Sequence, residues 1–522
     1  VMESDVWVRN ALSAPEFDDQ VFVRIGYLNS QDEALGWVRC IIPADAAWSR
    51  KLLRGLLPPG TRKLAVDVVG KHRRGLENDT MADDIVVKLT RPGVARQPVI
   101  TKLPMLQDYR TNAMTLIWET DFNLCLHSVE WGLAGQVLDQ KLTSIETLQV
   151  DDTHYVHRAE LTGLQTETGY SYRVRSGEAV SKVYTFTTAP HRDTAFAVAW
   201  WGDNHEGVGT LKTHVSNIVQ HAPNFIAVAG DMVNSGNSIT EWHDYWFKPL
   251  EHMDVAQTIP VLFARGNHDG EHALAYAYSV LPGNGGYYSF PYGNSWFLFL
   301  DSEAPSSSVP EQLIWLNNEL RRPEVQQAAF RVACFHKPPW TDFWNGGGYT
   351  GEDWVRSDWT PVFEQNSVDL VISGHTHAYS RGSTNGVMYV VSGGGGGTVD
   401  TERVARWPLF QAEYTDTHFD LMEISGCHMD WRAFNARNQL IDQFRLRCRA
   451  PELRWGSQPT SGSPLQLITE GRPGNRYILD RSSNMTTWTP VITNAIPTRG
   501  LPEFSVEVVP KDTREFFRAR QR

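Results

Sequence analysis

The sequence has few cysteines, no excess of positive charge and no long hydrophobic run, and each shortage excludes a class of protein. Lysine and arginine number 48 against 60 aspartate and glutamate residues, which gives a net charge of −12. This balance argues against general binding to nucleic acid or to an anionic membrane. No apolar run approaches the ~18 residues that indicate a transmembrane helix. Five cysteines in 522 residues, without a CxxC pair, do not indicate a disulfide framework.

The chain is long enough for three or four domains of ~100–200 residues, and its pattern changes along the sequence predict four units. Residues 1–95 alternate apolar and polar in short runs, which predicts an antiparallel β-sandwich that opens abruptly, as a clipped chain would. Its ending NDTMADDIVVKL resembles the last strand of jelly-roll modules. Residues 97–190 predict a second β-sandwich, residues 193–447 an α/β unit, and residues 452–522 a small β module. Cys427 and Cys448 either pair or stay buried as thiols.

One pattern recurs five times between Trp201 and His377: an apolar run ends and a metal-binding side chain follows at once. The runs are AFAVAWW, FIAVA, IPVLFAR, RVACF and VDLVIS. Runs without alternation are typical of strands buried on both faces. Helices are predicted between them over residues 208–221, 240–253, 311–321 and 352–366. Such alternation predicts a mostly parallel sheet, whose functional groups gather beyond the carboxyl ends of the strands.

The side chains at these strand ends predict a metal site. They are carboxylate, imidazole and amide groups without a thiolate, a set that suits Zn, Mn, Fe or Co. Asp203 and His205 are two residues apart, as are His375 and His377. In an extended backbone, both side chains of each pair would point to the same side. Seven groups are too many for one tetrahedral ion, but with one shared carboxylate they make two sites of four. The seven are Asp203, His205, Asp231, Asn267, His336, His375 and His377.

The motifs DNH, GDMVN, GNHD, FHKPP and GHTH together resemble the calcineurin-like metallophosphoesterases over about residues 193–447. GHTHAYSR and FHKPPW are most similar to the purple acid phosphatase branch. The resemblance implies two mixed sheets packed face to face and flanked by helices. It also implies a first metal on Asp203, His205, Asp231 and His377, and a second on Asp231, Asn267, His336 and His375. His268 would be the catalytic histidine, with Asp269 behind it.

Three positions depart from the purple enzymes. His205 stands where they have glycine, Asn234 where they have the tyrosine that gives the colour, and Gly346 where they have a further histidine. The fold and the dinuclear site follow from the resemblance, whereas the colour and an acid pH optimum do not. The two ions implied are divalent or trivalent Fe, Zn or Mn.

The second unit resembles a fibronectin type III domain, with Trp118 in its core and Tyr170 as its corner tyrosine. A glycine run at 392–397 could cradle phosphate, approach the site closely with its backbone, or form a flexible loop. The aromatic and glycine-rich loop 340–354 could line a substrate pocket. Substrate contacts are predicted for Asn267, His268, Trp340, Tyr349 and Arg381.

These observations predict an acid-phosphatase-like phosphomonoesterase in which a metal-bridging hydroxide attacks phosphorus. The alternatives are a phosphodiesterase or nucleotide hydrolase, and a non-catalytic, metal-stabilised protein for glycan binding or adhesion. The expected partner is a small phosphoester, without nucleic acid or a membrane span, and the β modules could contact glycans or a cell surface. A secreted or periplasmic location is expected.

Overall fold

The structure is a computed structural model. It describes residues 2–10, 20–40, 49–71, 80–89, 96–192, 194–270, 272–283, 285–303, 310–448, 452–456, 464–470, 476–495, 503–509 and 515–521. Within these ranges no helix is long and apolar enough to span a membrane.

The first two units are built from strands, as predicted. The first has β1 (Met2–Asn10), β2 (Gln20–Leu28), β3 (Ala34–Cys40), β4 (Ser49–Gly55), β5 (Lys63–Lys71) and β6 (Thr80–Leu89). The second has β7 (Ile100–Gln107), β8 (Ala113–Thr120), β9 (His127–Leu133), β10 (Gln140–Leu142), β11 (Ile145–Gln149), β12 (Tyr155–Thr162), β13 (Gly169–Ser176), β14 (Ala179–Val180) and β15 (Tyr184–Thr187).

One sheet runs across the predicted boundary between these two units. Its order is β5-β2-β3-β11-β12-β8-β7, because β3 pairs in parallel with β11. Smaller sheets, β4-β1-β6 and β10-β9-β13-β14 with β15 beside β13, complete the two units. Trp118 is buried and donates to Ser176, and the hydroxyl of Tyr170 accepts from the backbone N–H of Gln165. The four-unit division and the fibronectin type III resemblance remain predictions.

Over its described residues, the third unit contains thirteen strands in two sheets. They are β16 (Phe196–Trp201), β17 (Phe225–Val228), β18 (Val261–Phe263), β19 (Tyr288–Tyr292), β20 (Ser295–Phe299), β21 (Phe330–Cys334), β22 (Leu370–Ser373), β23 (Tyr379–Thr384), β24 (Val387–Ser392), β25 (Phe410–Tyr414), β26 (His418–Ser425), β27 (His428–Asn435) and β28 (Leu440–Arg447). The sheet orders are β18-β17-β16-β26-β27-β28 and β19-β20-β21-β22-β24-β23-β25. Both sheets are mixed, which confirms the expected fold class.

The two sheets of the third unit pack face to face through aromatic side chains. Trp200 on β16 stacks against Phe299 on β20, with ring centroids 6.2 Å apart. The five apolar runs form β16, β17, β18, β21 and β22, whose side chains are almost all buried. Burial on both faces explains why these runs do not alternate. The five strand ends therefore come from two facing sheets and not from one.

Helices form in all four regions where the sequence predicts them, and short helices also form outside these regions. The α-helices are α1 (Val208–Ile218), α2 (Ile239–Glu241), α3 (Lys248–Glu251), α4 (Val255–Thr258), α5 (Ala273–Ala277), α6 (Pro310–Leu320), α7 (Pro323–Gln326) and α8 (Thr360–Gln365). Two 3-10 turns (Val219–His221 and His252–Asp254) and two π-helical turns (Trp242–Phe247 and Val355–Trp359) lie beside them.

The fourth unit is a pair of three-stranded sheets, β29-β30-β33 and β32-β31-β34. Its strands are β29 (Glu452–Trp455), β30 (Leu465–Glu470), β31 (Arg476–Ser482), β32 (Thr489–Ala495), β33 (Glu503–Val508) and β34 (Phe516–Gln521). Just before this unit, a disulfide joins Cys427 to Cys448. The structure therefore selects pairing over two buried thiols for these cysteines.

A buried ionic cluster joins the second and third units. Glu119 on β8 is fully buried, and its carboxylate accepts from the Lys102 ammonium at 2.5 Å and the Thr101 hydroxyl at 2.7 Å. From the third unit, the Tyr278 hydroxyl donates to it at 2.8 Å and His243 Nε2 at 3.0 Å. Four donors on one carboxylate offset the cost of removing its charge from water.

The second unit also holds the segment that follows the GNHD motif (residues 266–269). Arg158 on β12 donates to three backbone carbonyls within residues 276–279. Gln107 on β7 accepts from the backbone N–H of Val280 at 2.6 Å. Buried apolar side chains of both units also belong to one continuous hydrophobic core. The second and third units are therefore packed against each other through a shared core and several hydrogen bonds.

We predict that Glu119→Ala lowers the free energy of unfolding by about 3–5 kcal/mol, because the buried Lys102 ammonium loses its partner. Denaturant unfolding followed by tryptophan fluorescence measures this change. Glu160→Ala is the matched control: this carboxylate is exposed and only 3.3 Å from Arg110, so a change below about 1 kcal/mol is expected. Equal effects of the two substitutions would contradict the role of the cluster.

The cluster also predicts a pH dependence of stability. Burial acts to raise the pKa of Glu119, but the hydrogen bond from His243 and the charge of Lys102 outweigh it and lower the pKa to about 2. Burial lowers the pKa of Lys102 to about 8. A depressed carboxyl pKa stabilises the fold above the unfolded value near 4.5, and this contribution is lost as the pH falls toward 2.

We therefore expect the stability difference between the wild type and Glu119→Gln to shrink by about 1 kcal/mol between pH 6 and pH 3.5. Denaturant unfolding of both proteins at each pH gives this difference, in which the other titrating groups cancel. A difference that stays constant or grows on acidification would show that Glu119 is not held as a carboxylate by its donors.

Candidate metal centre

The predicted metal-binding side chains lie in tight turns immediately after strand ends. Asp203 and His205 follow β16, Asp231 follows β17, and His375 follows β22. All four have positive φ angles, of 63°, 42°, 55° and 67° respectively. Non-glycine residues rarely adopt this conformation, and it is concentrated at functional sites. The expectation of an extended Asp-x-His segment is wrong: turns, and not strand alternation, bring these side chains together.

The first group of candidate ligands contains Asp203, His205 and His377, which offer ligand atoms within 4.8 Å of one another. His377 Nε2 lies 3.6 Å from Asp203 Oδ1. His205 Nε2 is buried and has no hydrogen-bond partner among the residues that the structure describes. It lies 3.6 Å from Oδ2 of Asp231. This arrangement could hold one cation.

The second group contains Asp231, His336 and His375, again within 4.8 Å. His336 Nε2 lies 3.1 Å from Asp231 Oδ2, 3.2 Å from Asn267 Oδ1 and 3.2 Å from His375 Nδ1. Four potential ligand atoms thus converge around one point. Asp231 Oδ2 faces a histidine nitrogen of each group, so this single carboxylate oxygen could bridge two cations.

Hydrogen bonds to the remote ring nitrogens set the orientation of the histidines. Nδ1–H of His336 donates to the Ala229 carbonyl at 2.8 Å, and that of His377 donates to the Thr398 carbonyl at 2.7 Å. Each bond leaves Nε2 free to face the other candidate ligands. Metal-binding histidines commonly donate their second N–H to a carbonyl or carboxylate in this way.

The electrostatic environment of the two groups attracts positive charge. Burial acts to lower the pKa of His336, but Asp231 and Asp203 outweigh it and raise the pKa to about 10. His377, beside Asp203, has its pKa raised to about 9 against the same effect of burial. Burial and the neighbouring His336 lower the pKa of His375. Buried carboxylates surrounded by imidazoles, together with the unpartnered Nε2 of His205, fit a pair of bound cations.

Another group of possible ligands, Glu119, His154 and His243, lies at the boundary of the second and third units. The ammonium of Lys102 is 2.5 Å from the Glu119 carboxylate and already supplies the positive charge there. This group is therefore explained by the buried ionic cluster.

The structure places the two predicted catalytic residues in different environments. His268 is exposed, and its Nδ1–H donates to the Asn234 carbonyl at 2.9 Å. Asp269 does not lie behind His268, contrary to the prediction. It is fully buried and accepts from the backbone N–H groups of Asp231, Met232, Val233 and Gly266. Asp269 thus orders the two loops that carry Asp231 and Asn267.

The glycine run lets its loop pass very close to the candidate ligands. A Cβ on Gly397 would lie 2.6 Å from the ring of His377 and 3.0 Å from that of His205. The N–H groups of Gly395 and Gly397 donate to the carbonyls of Gly202 and Asp203. These donors are therefore already used, which favours the close backbone approach over a phosphate cradle.

The candidate site opens into a cavity of about 410 Å³. Asn267 and His268 line it, and their contact with substrate stays a prediction. From the 340–354 loop, Trp344 lines it, with its ring 4.8 Å from that of His375. Tyr349 packs behind Trp344 and lies 5.0 Å from His375.

Two predicted substrate contacts lie elsewhere. Trp340 packs edge-on against Tyr389, at a centroid distance of 4.9 Å, beside the core on the outer face of the seven-stranded sheet. Arg381 on β23 makes a two-pronged ion pair with Asp442, at 2.6 and 3.1 Å. Neither lines the cavity. Both are occupied by packing that joins distant parts of the sequence, which residue type alone could not reveal.

Sequence reasoning missed two acidic residues at the cavity, Glu206 and Asp400. Asp400 is buried and accepts from the backbone N–H groups of His377 and Asn345, both at 2.8 Å. Glu206 follows His205 directly, so its place beside the DNH motif was the available signal. Asp400 is 23 residues from His377, and no local pattern linked the two.

Comparisons with known proteins match two parts of the chain to known families. Residues 196–379 match the calcineurin-like phosphoesterase family, and residues 104–188 match the purple acid phosphatase N-terminal domain. Purple acid phosphatase 15 of Arabidopsis thaliana is 26% identical over 290 residues, which cover 46% of this chain and 53% of that protein. Phosphoenolpyruvate phosphatase of Allium cepa is 25% identical over 318 residues, covering 55% and 64%.

This chain thus spans between half and two thirds of the length of these relatives. The structure of a purple acid phosphatase from yellow lupin (Lupinus luteus) seeds has a similar fold, with a TM-score of 0.59 at 17% identity, covering 83% of this chain and 91% of that one. The chain therefore carries a calcineurin-like phosphoesterase domain preceded by a purple acid phosphatase N-terminal domain, and its relatives are purple acid phosphatases.

Proposed function

We propose that the protein hydrolyses phosphoesters with two metal ions held by the seven predicted ligands. The observation that carries the proposal is Asp231, whose Oδ2 lies 3.6 Å from His205 Nε2 in one group and 3.1 Å from His336 Nε2 in the other. A bridging carboxylate between two N/O-rich groups is the arrangement that a two-metal hydrolase requires. When bound, two such metal ions supply Lewis-acid polarisation of the phosphoryl oxygens and activate water.

The remaining steps belong to side chains of this protein. Asn267 and Asp231 converge on the second group and would be among the ligands that hold its ion. His268 is exposed at the cavity, and its Nδ1–H is committed to the Asn234 carbonyl. Its Nε2 is therefore the atom that would give a proton to the leaving oxygen. Asp269 keeps the backbone of both loops in place.

We expect Asp231→Ala to lose bound metal and to lower kcat/KM for nitrophenyl phosphate by about a thousandfold or more, since the lost Lewis-acid stabilisation is worth several kcal/mol. Elemental analysis and a phosphatase assay measure the two effects. Asp430→Ala, which removes a half-buried carboxylate paired with Arg445 outside the candidate site, should change neither. Full metal content and undiminished hydrolysis in Asp231→Ala would refute the proposal.

The alternative of a non-catalytic adhesion or glycan-binding protein makes a different prediction for the same assays. A cavity of about 570 Å³, with Trp37 and Tyr27 among its lining residues, lies between the first two units and is the feature that a glycan could use. Metal binding without turnover of any phosphoester would favour this alternative. The complete ligand set and the exposed His268 favour catalysis.

The charge of the cavity favours phosphodiesters as a second candidate substrate class, although the family resemblance favours monoesters. Glu206, Asp231 and Asp400 line the cavity, and none of its lining residues, all of which are described, is lysine or arginine. A monoester brings two negative charges and a diester one, so Glu206 and Asp400, which are not proposed metal ligands, repel a monoester more strongly. Trp344 offers an apolar surface for a second ester group.

On this basis we expect kcat/KM for bis-nitrophenyl phosphate to exceed that for nitrophenyl phosphate in the metal-loaded enzyme. Both substrates release the same nitrophenol, so one assay across several pH values gives the ratio. A preference for the monoester above about tenfold, or ~1.4 kcal/mol of transition-state binding, would reverse this assignment and leave the metal mechanism intact.

A further inference from the structure

One residue, Asn234, holds two of the histidines at the candidate metal centre. Its side-chain Oδ1 accepts from Nδ1–H of His205 at 2.8 Å. Its backbone carbonyl accepts from Nδ1–H of His268 at 2.9 Å. The two histidine rings meet edge-on, with centroids 4.6 Å apart. Asn234 therefore fixes a candidate metal ligand and the candidate proton donor through different atoms.

The orientation of the Asn234 amide is set by a third contact. The carboxylate of Glu206 interacts with its own backbone N–H and with the Asn234 side-chain amide, and both lower its pKa. A carboxylate can interact favourably only with the Nδ2–H₂ end of the amide, which agrees with Oδ1 facing His205. Nδ1 of His205 then carries the proton, and Nε2 presents its lone pair. This Nε2 is buried and has no hydrogen-bond partner in the described part of the chain.

His205 differs from His336 and His377 in the group that holds its ring. His336 and His377 donate Nδ1–H to backbone carbonyls, which a substitution leaves in place. His205 donates to a side chain. Its ring orientation therefore depends on a group that can be removed without altering any candidate ligand.

We propose that Asn234 is a positioning residue that selects the tautomer and the orientation of His205 for the cation of the first group. This inference rests on the proposed function, because it takes Asp203, His205 and His377 as ligands. Partners of this kind are typically worth 10–100-fold in metal affinity. The position where the purple enzymes have a tyrosine would thus act on the metal through a histidine.

The test is a metal titration of the full chain, with Mn²⁺ or Zn²⁺, followed by calorimetry and by metal content after dialysis. Asn234→Ala should bind one of its two ions about 10–100-fold more weakly and the other with unchanged affinity. Asn237→Ala is the matched control: this exposed amide lies in the same loop and accepts from Ser235. It should bind both ions as the wild type does.

A variant pair keeps the test decisive if Asn234→Ala is poorly folded, which its melting temperature would reveal. Asn234→Asp retains the acceptor for His205 but places its carboxylate against that of Glu206. The double substitution Asn234→Asp with Glu206→Gln restores an amide–carboxylate pair between residues 234 and 206, with the amide now at 206 and the carboxylate at 234. We expect the double variant to bind the weakened ion more tightly than either single variant.

The hydrogen bond from His268 to the Asn234 backbone carbonyl gives an independent readout. Because the backbone carbonyl of Asn234 remains in Asn234→Ala, the dependence of kcat on the pKa of the leaving alcohol should not change at saturating metal. Wild-type affinity for both ions in Asn234→Ala would overturn the positioning role alone. Two ions bound by the wild type without hydrolysis would overturn the proposed function alone, and a wild type that binds no ion would overturn both.

Discussion

The architecture of the third unit depends on one constraint: two buried carboxylates must share a small space with several imidazoles. Asp203 and Asp231 are almost fully buried. Both follow strands of the six-stranded sheet and face histidines that follow strands of the seven-stranded sheet. Isolated carboxylates in such a place would be strongly disfavoured, so positive charge has to accompany them. Protonated histidines or metal ions can supply it, and the convergence of Asp, Asn and His atoms fits metal ions.

This constraint explains the unusual backbone around the site. Four of the candidate ligand residues occupy the left-handed region, and a glycine loop passes within contact distance of two histidine rings. Each strained residue costs of order 1–3 kcal/mol and needs surrounding structure to hold it. Asp269 provides part of that structure through four backbone N–H groups, and Asp400 provides another part beside His377. Residues that resemble catalytic acids therefore serve as supports for the loops.

The second unit contributes to the same rigidity from a distance. Its strands share a core with the third unit, and its Glu119 and Arg158 fix the segment that follows the GNHD motif. A buried carboxylate with four donors tolerates little displacement, because any lost donor leaves charge unsatisfied. The part of the chain that matches the purple acid phosphatase N-terminal domain thus holds the segment that follows the GNHD motif.

The sequence by itself determined the β-rich units, the five buried strands and the identity of the candidate ligands. Continuous apolar runs require burial on both faces, and the ligand chemistry depends on residue type alone. The sequence did not determine that Trp344, and not Trp340, lines the cavity, because both residues lie in the same aromatic loop. The sequence also left open whether Cys427 and Cys448 pair.

Only the tertiary structure decided which groups face each other across long separations. Arg381 meets Asp442, Asp400 meets His377, and Glu119 meets Tyr278, through contacts that no local period records. The structure also showed that turns with positive φ, and not extended strands, aim Asp203 and His205. Backbone conformation at a strand end depends on the packing of both sheets, so a single segment of sequence does not contain it.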